Sequence, residues 1–182
     1  MALTIAQLTA NPTPTSVYVG LSNSAILTGA GEQSLLPATG QGSLTVPTNA
    51  FKVGDSYCLV MAGEILLGDS NDDFTLKVYQ NGTVLGDITV KLENTAAGVS
   101  FWEVEVDFTV RAIGATGSMC TNLDFTFNKN ITKDFKGSRH VTITTLDTTT
   151  TSSLSVTGEV VGQNNSSLVT NMMILHRVFS GT

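Results

Sequence analysis

The stretch FWEVEVDFTVRAIG, residues 101–114, limits the fold more than any other part of the chain. Apolar Trp102, Val104, Val106, Phe108 and Val110 alternate with Glu103, Glu105, Asp107 and Thr109. Successive side chains of an extended chain point to opposite sides, so this spacing makes one strand with a dry face and a wet face. Burying the five apolar side chains stabilises the fold by about 1.5–3 kcal/mol each, and the dry face therefore belongs against a core.

The same alternation recurs along the chain, and no segment sustains a helical apolar period. Strands are predicted at Ser16–Val19, Ser24–Leu27, Ser43–Val46, Tyr57–Leu67, Phe74–Tyr79, Thr83–Lys91, Phe101–Arg111, Met119–Phe127, His140–Thr144, Ser152–Val161 and Thr170–Phe179. Asn81-Gly82 is the strongest hairpin signal, since both residues tolerate the positive φ of a type I′ turn. The Thr-rich run from Thr144 to Gly158 has alternating flanks, Val141 and Ile143 before it and Leu154 and Val156 after it. It reads as two strands joined by a polar loop. All four prolines (Pro12, Pro14, Pro37 and Pro47) lie in the first third, which predicts an irregular N-terminal arm over residues 1–42 and a single β-domain over residues 43–182. Within the arm, GAGEQSLLPATGQGS reads as loop, and the arm has two options: to pack on its own domain or to reach a neighbouring subunit.

Many short strands without intervening helices mean an antiparallel sandwich or barrel. The strand count predicts an all-β, antiparallel jelly-roll β-sandwich of about eight core strands, preceded by the extended arm. An immunoglobulin sandwich fits less well, because Cys58 and Cys120 do not bracket a central Trp with a Tyr two residues before the second Cys.

Charged residues are 13% of the chain, about half the usual quarter. Thr, Ser, Asn and Gly must supply the polar surface, and so few charges protect poorly against self-association. Nine basic residues against 15 acidic ones give a net charge of −6, which argues against direct contact with nucleic acid. The N-terminal segment has neither a basic region nor a long apolar run, so neither a signal peptide nor a membrane span is expected.

Glu103, Glu105 and Asp107 stand about 6.6–6.8 Å apart along one strand face. A glycosidase could use such carboxylates at a separation of about 5–5.5 Å, but sugar rings need aromatic platforms, and the nearby Trp102 falls on the opposite face. A row of solvated carboxylates is the reading preferred. In GDSNDDF, Asp69, Asn71, Asp72 and Asp73 resemble part of a calcium loop but lack the EF-hand spacing and terminal Glu, so an acidic turn is expected. There is no G-x-S-x-G elbow, phosphate-cradling glycine loop or clustered Cys/His set. His140 and His176 sit in strand-like runs, and His176 before Arg177 predicts a polar edge or interface contact. Cys58 and Cys120 read as buried free thiols, with a single bridge as the alternative. Asn81, Asn130, Asn164 and Asn165 begin N-x-[ST] sequons, read as chance matches. No catalytic, cofactor-binding or metal-binding residue is assigned, no cofactor is expected, and the chain reads as a non-enzyme.

Three segments carry a resemblance to a known family: LTVPTNAFKVGDSYCLVMAGEI (44–65), FWEVEVDFTVRAIGATGS (101–118) and LSVTGEVVGQNNSSLVTNMMILHRVF (154–179). They resemble the single jelly-roll structural proteins of large DNA viruses and some phages. In these, an N-x-F-x-V-G-D turn feeds a long strand with an A/S-G motif, an aromatic-acidic strand ends in R-x-I-G, and an apolar strand closes the sheet. The resemblance implies a virion component assembled in the host cytoplasm: a penton-type or minor capsid subunit forming a closed ring at icosahedral vertices, beside other capsid proteins. It implies a homo-oligomer, with a pentamer favoured and a trimer as the alternative. The second reading is a trimeric receptor- or glycan-binding fibre head, disfavoured by the lack of a repetitive shaft. The arm and the loops at the sandwich ends are the expected contact elements.

Overall fold

The computed structural model describes residues 15–67, 72–92, 98–128, 135–162 and 166–181. Among them are thirteen strands and no helix: β1 (Thr15–Gly20), β2 (Leu27–Thr28), β3 (Gln33–Ser34), β4 (Gly40–Gly42), β5 (Thr45–Val46), β6 (Ser56–Leu67), β7 (Asp72–Gln80), β8 (Thr83–Leu92), β9 (Gly98–Ala112), β10 (Gly117–Asn128), β11 (Phe135–Leu146), β12 (Ser152–Val161) and β13 (Ser167–Phe179).

These strands form an antiparallel jelly-roll β-sandwich. The large sheet runs β11-β10-β9-β6-β13-β1-β4, with β2 also on β13; the small sheet runs β3-β12-β7-β8, with β5 also on β12. The jelly-roll wrap lies in two pairs: β6 lies beside β13 in the large sheet, and its successor β7 lies beside β12 in the small one. The chain then crosses back from the β7–β8 hairpin and lays down β9, β10 and β11 as a meander. Asn81 (φ 51°) and Gly82 (φ 78°) form the β7–β8 turn with the two positive φ values that the sequence predicts.

The core sits between the sheets. Trp102, Val104, Val106, Phe108 and Val110 are all buried, so the dry face of β9 is as the alternation predicts. Phe74 of the small sheet meets Phe125 of the large one with ring centroids 5.2 Å apart, and Trp102 stacks on Phe125 at 6.1 Å. Trp102 Nε1 donates to the Val169 carbonyl at 3.1 Å, which satisfies its one polar atom.

Three expectations need correction, and one open choice is decided. The segment GAGEQSLLPATGQGS, predicted as loop, holds β3 and β4, and its Leu35 is fully buried. Of the arm's two options, its described part takes the first and packs on its own domain. Its short strands join both sheets, and Ser24, Leu35 and Thr170 are tied together by hydrogen bonds of 2.8–3.0 Å. The Glu32 carboxylate fastens it again on the small sheet, accepting from Tyr79 Oη (2.6 Å), Thr157 Oγ1 (2.7 Å) and Lys77 Nζ (2.9 Å). Cys58 and Cys120 are free thiols, but half-buried on the outward side of their strands, with Leu59 and Met61, and Met119 and Thr121, taking the inward positions.

The third correction is β11, whose polarity is inverted. Val141 (60%) and Ile143 (63%) are exposed, while Ser138, His140, Thr142 and Thr144 turn inward. They face the unpaired edge of β8, where His140 Nδ1 meets the Asp87 carbonyl at 2.7 Å and Thr144 Oγ1 donates to the Leu85 carbonyl at 3.5 Å. Edge carbonyls inside the seam need donors, so the polar side of this strand goes in.

Candidate functional site

The wet side of β9 becomes the middle of the outer face of the large sheet. Pairing sets its neighbours: Glu103 lies between Thr126 and Ala62, Glu105 between Asp124 and Val60, and Asp107 between Asn122 and Cys58. Glu103 and Glu105 are exposed and Asp107 is half-buried. Asn122 Nδ2 donates to Asp107 Oδ2 (3.2 Å) and its Oδ1 accepts from Arg139 Nε (2.8 Å), so one cation reaches the row through an amide. Glu105 directly opposes Asp124, and like charges at directly paired positions repel.

The row and its neighbour make the one group of possible metal donors among the described residues: Cys58 Sγ and carboxylate oxygens of Glu105 and Asp107 lie within 4.8 Å of one another. His176 stands opposite Cys58 on β13. The thiol is a poor nucleophile here. Burial first, and then the charges of Asp107 and Glu105, push it up to about 12, and Sγ–H points to Glu105 Oε1 at 3.8 Å. The arrangement therefore offers a protonated thiol and carboxylates on a flat sheet. It lacks the loop that wraps a calcium ion and the aromatic platform of a sugar cleft.

The other sequence candidates separate. Asp72 is fully buried at the start of β7 and Asp73 faces Lys91 Nζ at 3.9 Å, so these two do not turn toward a common ion; Asp69 and Asn71 lie outside the described residues. His140 belongs to the β8–β11 seam, 53 residues away in sequence from its Asp87 partner. Asn81 is exposed at the hairpin tip, and Asn130, Asn164 and Asn165 lie outside the described residues.

Two apolar zones border the acidic centre of this face. Val141 and Ile143 lie on the β11 edge, and Val99 (52%) and Phe101 (61%) lie at the start of β9 beside exposed Leu66 of β6, which pairs with Val99. The small sheet is different. On its outer side Glu32 pairs with Lys77 at 2.9 Å, Asp73 stands 3.9 Å from Lys91, and Glu159 accepts from the Gly31 amide, while Asp87 is exposed.

A second polar centre escapes sequence reasoning. Asp55, in the FKVGDS turn, is completely buried and accepts from Arg177 Nη2 (2.6 Å), Gly181 N (2.8 Å) and Lys52 N (2.9 Å). Burial alone pushes its pKa up, but these donors outweigh it and hold the carboxyl below the ordinary value. Arg177 also lies over the Tyr57 ring at 5.9 Å. The only sequence signal was an Asp in a turn, and its partners Arg177 and Gly181 are more than a hundred residues away.

In comparison with known proteins, no family model and no curated sequence matches the chain. Among solved structures it is similar to a lectin, UEA-II complexed with galactose, at 9% identity and a TM-score of 0.36, covering 91% of this chain and 98% of that one. That likeness is too loose to bear on function.

Proposed function

We propose that this protein is a structural virion subunit, of the penton type, that assembles into a closed ring and meets neighbouring capsid proteins through the outer face of its large sheet. One observation carries the reading: that face combines exposed apolar side chains at both ends with a carboxylate row containing a directly opposed like-charged pair, Glu105 and Asp124. A partner's Lys or Arg would relieve the repulsion, and its apolar side chains would cover Val141, Ile143 and Phe101. Closed cyclic symmetry covers every copy alike. The low charge of the chain and the resemblance of its three segments to viral jelly rolls support the same role.

Native mass spectrometry at micromolar concentration, with peptide mapping of purified particles from the source, tests this. The expected result is a five-membered ring, weakened by Ile143→Lys and Phe101→Lys, and the chain recovered from particles. A strictly monomeric protein absent from particles ends the proposal. A stable trimer that binds cells or glycans moves the role to a fibre head.

A further inference from the structure

A cavity of about 250 Å³ lies between the two sheets at the end walled by the 43–51 segment. Leu44, Val46, Phe51, Phe108, Met119 and Leu154 line most of it, and it opens to solvent beside exposed Ala50. An apolar cavity of about 150 Å³ is enough to take a benzene ring. This one holds a ring with a substituent.

Its polar groups say what the substituent is. Gln80 is only 4% exposed and lines the cavity; Nε2 donates to Ser152 Oγ at 2.9 Å, which leaves the amide oxygen as an acceptor. Tyr57 lines the same space half-buried, and its hydroxyl has no hydrogen-bond partner among the described residues. Arg177 also lines it; its charge is balanced by Asp55 at 2.6 Å, and its buried Nε–H, without a partner among the described residues, is a further donor for a neutral guest. A charged guest would therefore give up its hydration without gaining a counter-charge. To the hydroxyl of a neutral guest the lining offers an acceptor in Gln80 and donors in Tyr57 and Arg177 Nε.

We propose that this cavity is a binding site for a neutral, ring-sized apolar molecule carrying one hydroxyl, of the phenol or cyclic-alcohol class. This inference does not rest on the capsid reading.

The test uses 4-methylphenol, toluene and benzoate as probes, with saturation-transfer NMR and calorimetric titration of the full chain. The expected result is saturable one-to-one binding of 4-methylphenol, with toluene weaker by about fivefold for the lost hydrogen bonds and benzoate weakest. Gln80→Leu and Tyr57→Phe should each weaken 4-methylphenol while leaving toluene unchanged. Ala50→Trp, at an exposed position that spares the core, should block all three, with an unchanged circular dichroism spectrum as the control for folding. Non-saturable binding, benzoate as the tightest probe, or full binding by a folded Ala50→Trp variant overturns the proposal.

Discussion

Replacing Asp55 by Ala should unlatch the C-terminal strand from the turn that starts β6. The wild-type carboxylate accepts from Arg177, Gly181 and Lys52 at 2.6–2.9 Å. Removing it leaves the backbone N–H groups of Lys52 and Gly181 without their acceptor, and Gly181 is buried. An orphaned buried donor costs about 1–3 kcal/mol. Arg177, whose side chain is 37% exposed, recovers solvation in part, so its share is smaller than in a fully buried pair. The sum is about 3–5 kcal/mol, or about 10 °C in melting temperature for a chain of this size.

Differential scanning calorimetry and urea titration at pH 7 measure the loss, and a double-mutant cycle with Arg177→Met isolates the pairwise part. The sign with pH follows from the lowered pKa. The contribution of Asp55 is complete above the ordinary carboxyl value of 3.8 and is lost as pH falls through the lower folded value. The gap between wild type and Asp55→Ala should therefore narrow only in strong acid. A loss under about 1 kcal/mol at pH 7, or a gap that stays constant into acid, refutes the latch.

Four other predictions rest on equally specific contacts. Glu32→Gln should lose about 1 kcal/mol at neutral pH, discounted because the side chain is one-third exposed. Hydrogen bonds from Tyr79, Lys77 and Thr157 lower the Glu32 pKa to about 2, so acid melts should show the wild-type advantage fading from pH 4.5 down toward that value. Gly63→Ala would set a Cβ against the Val169 carbonyl and 2.9 Å from Trp102 Nε1; a loss above about 2 kcal/mol in urea is expected, and a neutral variant would disprove the close approach. Gly82→Val places a β-branched residue at φ 78° and should cost about 1–3 kcal/mol by thermal melt. The double change Glu105→Gln with Asp107→Asn should speed alkylation of Cys58 at pH 8.5 by roughly three- to tenfold in peptide mass mapping, short of a free thiol because burial persists.

Much of the fold was legible because it is written locally. The turn at Asn81-Gly82, the two faces of β9 and the long strands β6, β7, β8, β10 and β12 follow from side-chain period and turn chemistry. The candidate site was legible only in part. Glu103, Glu105 and Asp107 could be placed on one wet face, but Asp124, Asn122 and Cys58 enter beside them through strand register, which depends on partners tens of residues away. Asp55 and the cavity were not legible at all, because each is made from chain segments that only the closed sandwich brings together.

Side-chain alternation along the chain dictated strands with one dry side, and such strands need a second layer. Alternation fixes which side of a strand differs from the other, since that is a property of the extended backbone. It does not fix which side turns inward. At β9 the apolar side met another sheet and was buried. At β11 the inward side met the unpaired carbonyls of β8, so His140 and Thr144 went in and Val141 and Ile143 were left facing out. Tertiary structure made that choice, because the edge carbonyls of β8 accept from donors on β11, while an exposed isoleucine is common on protein surfaces.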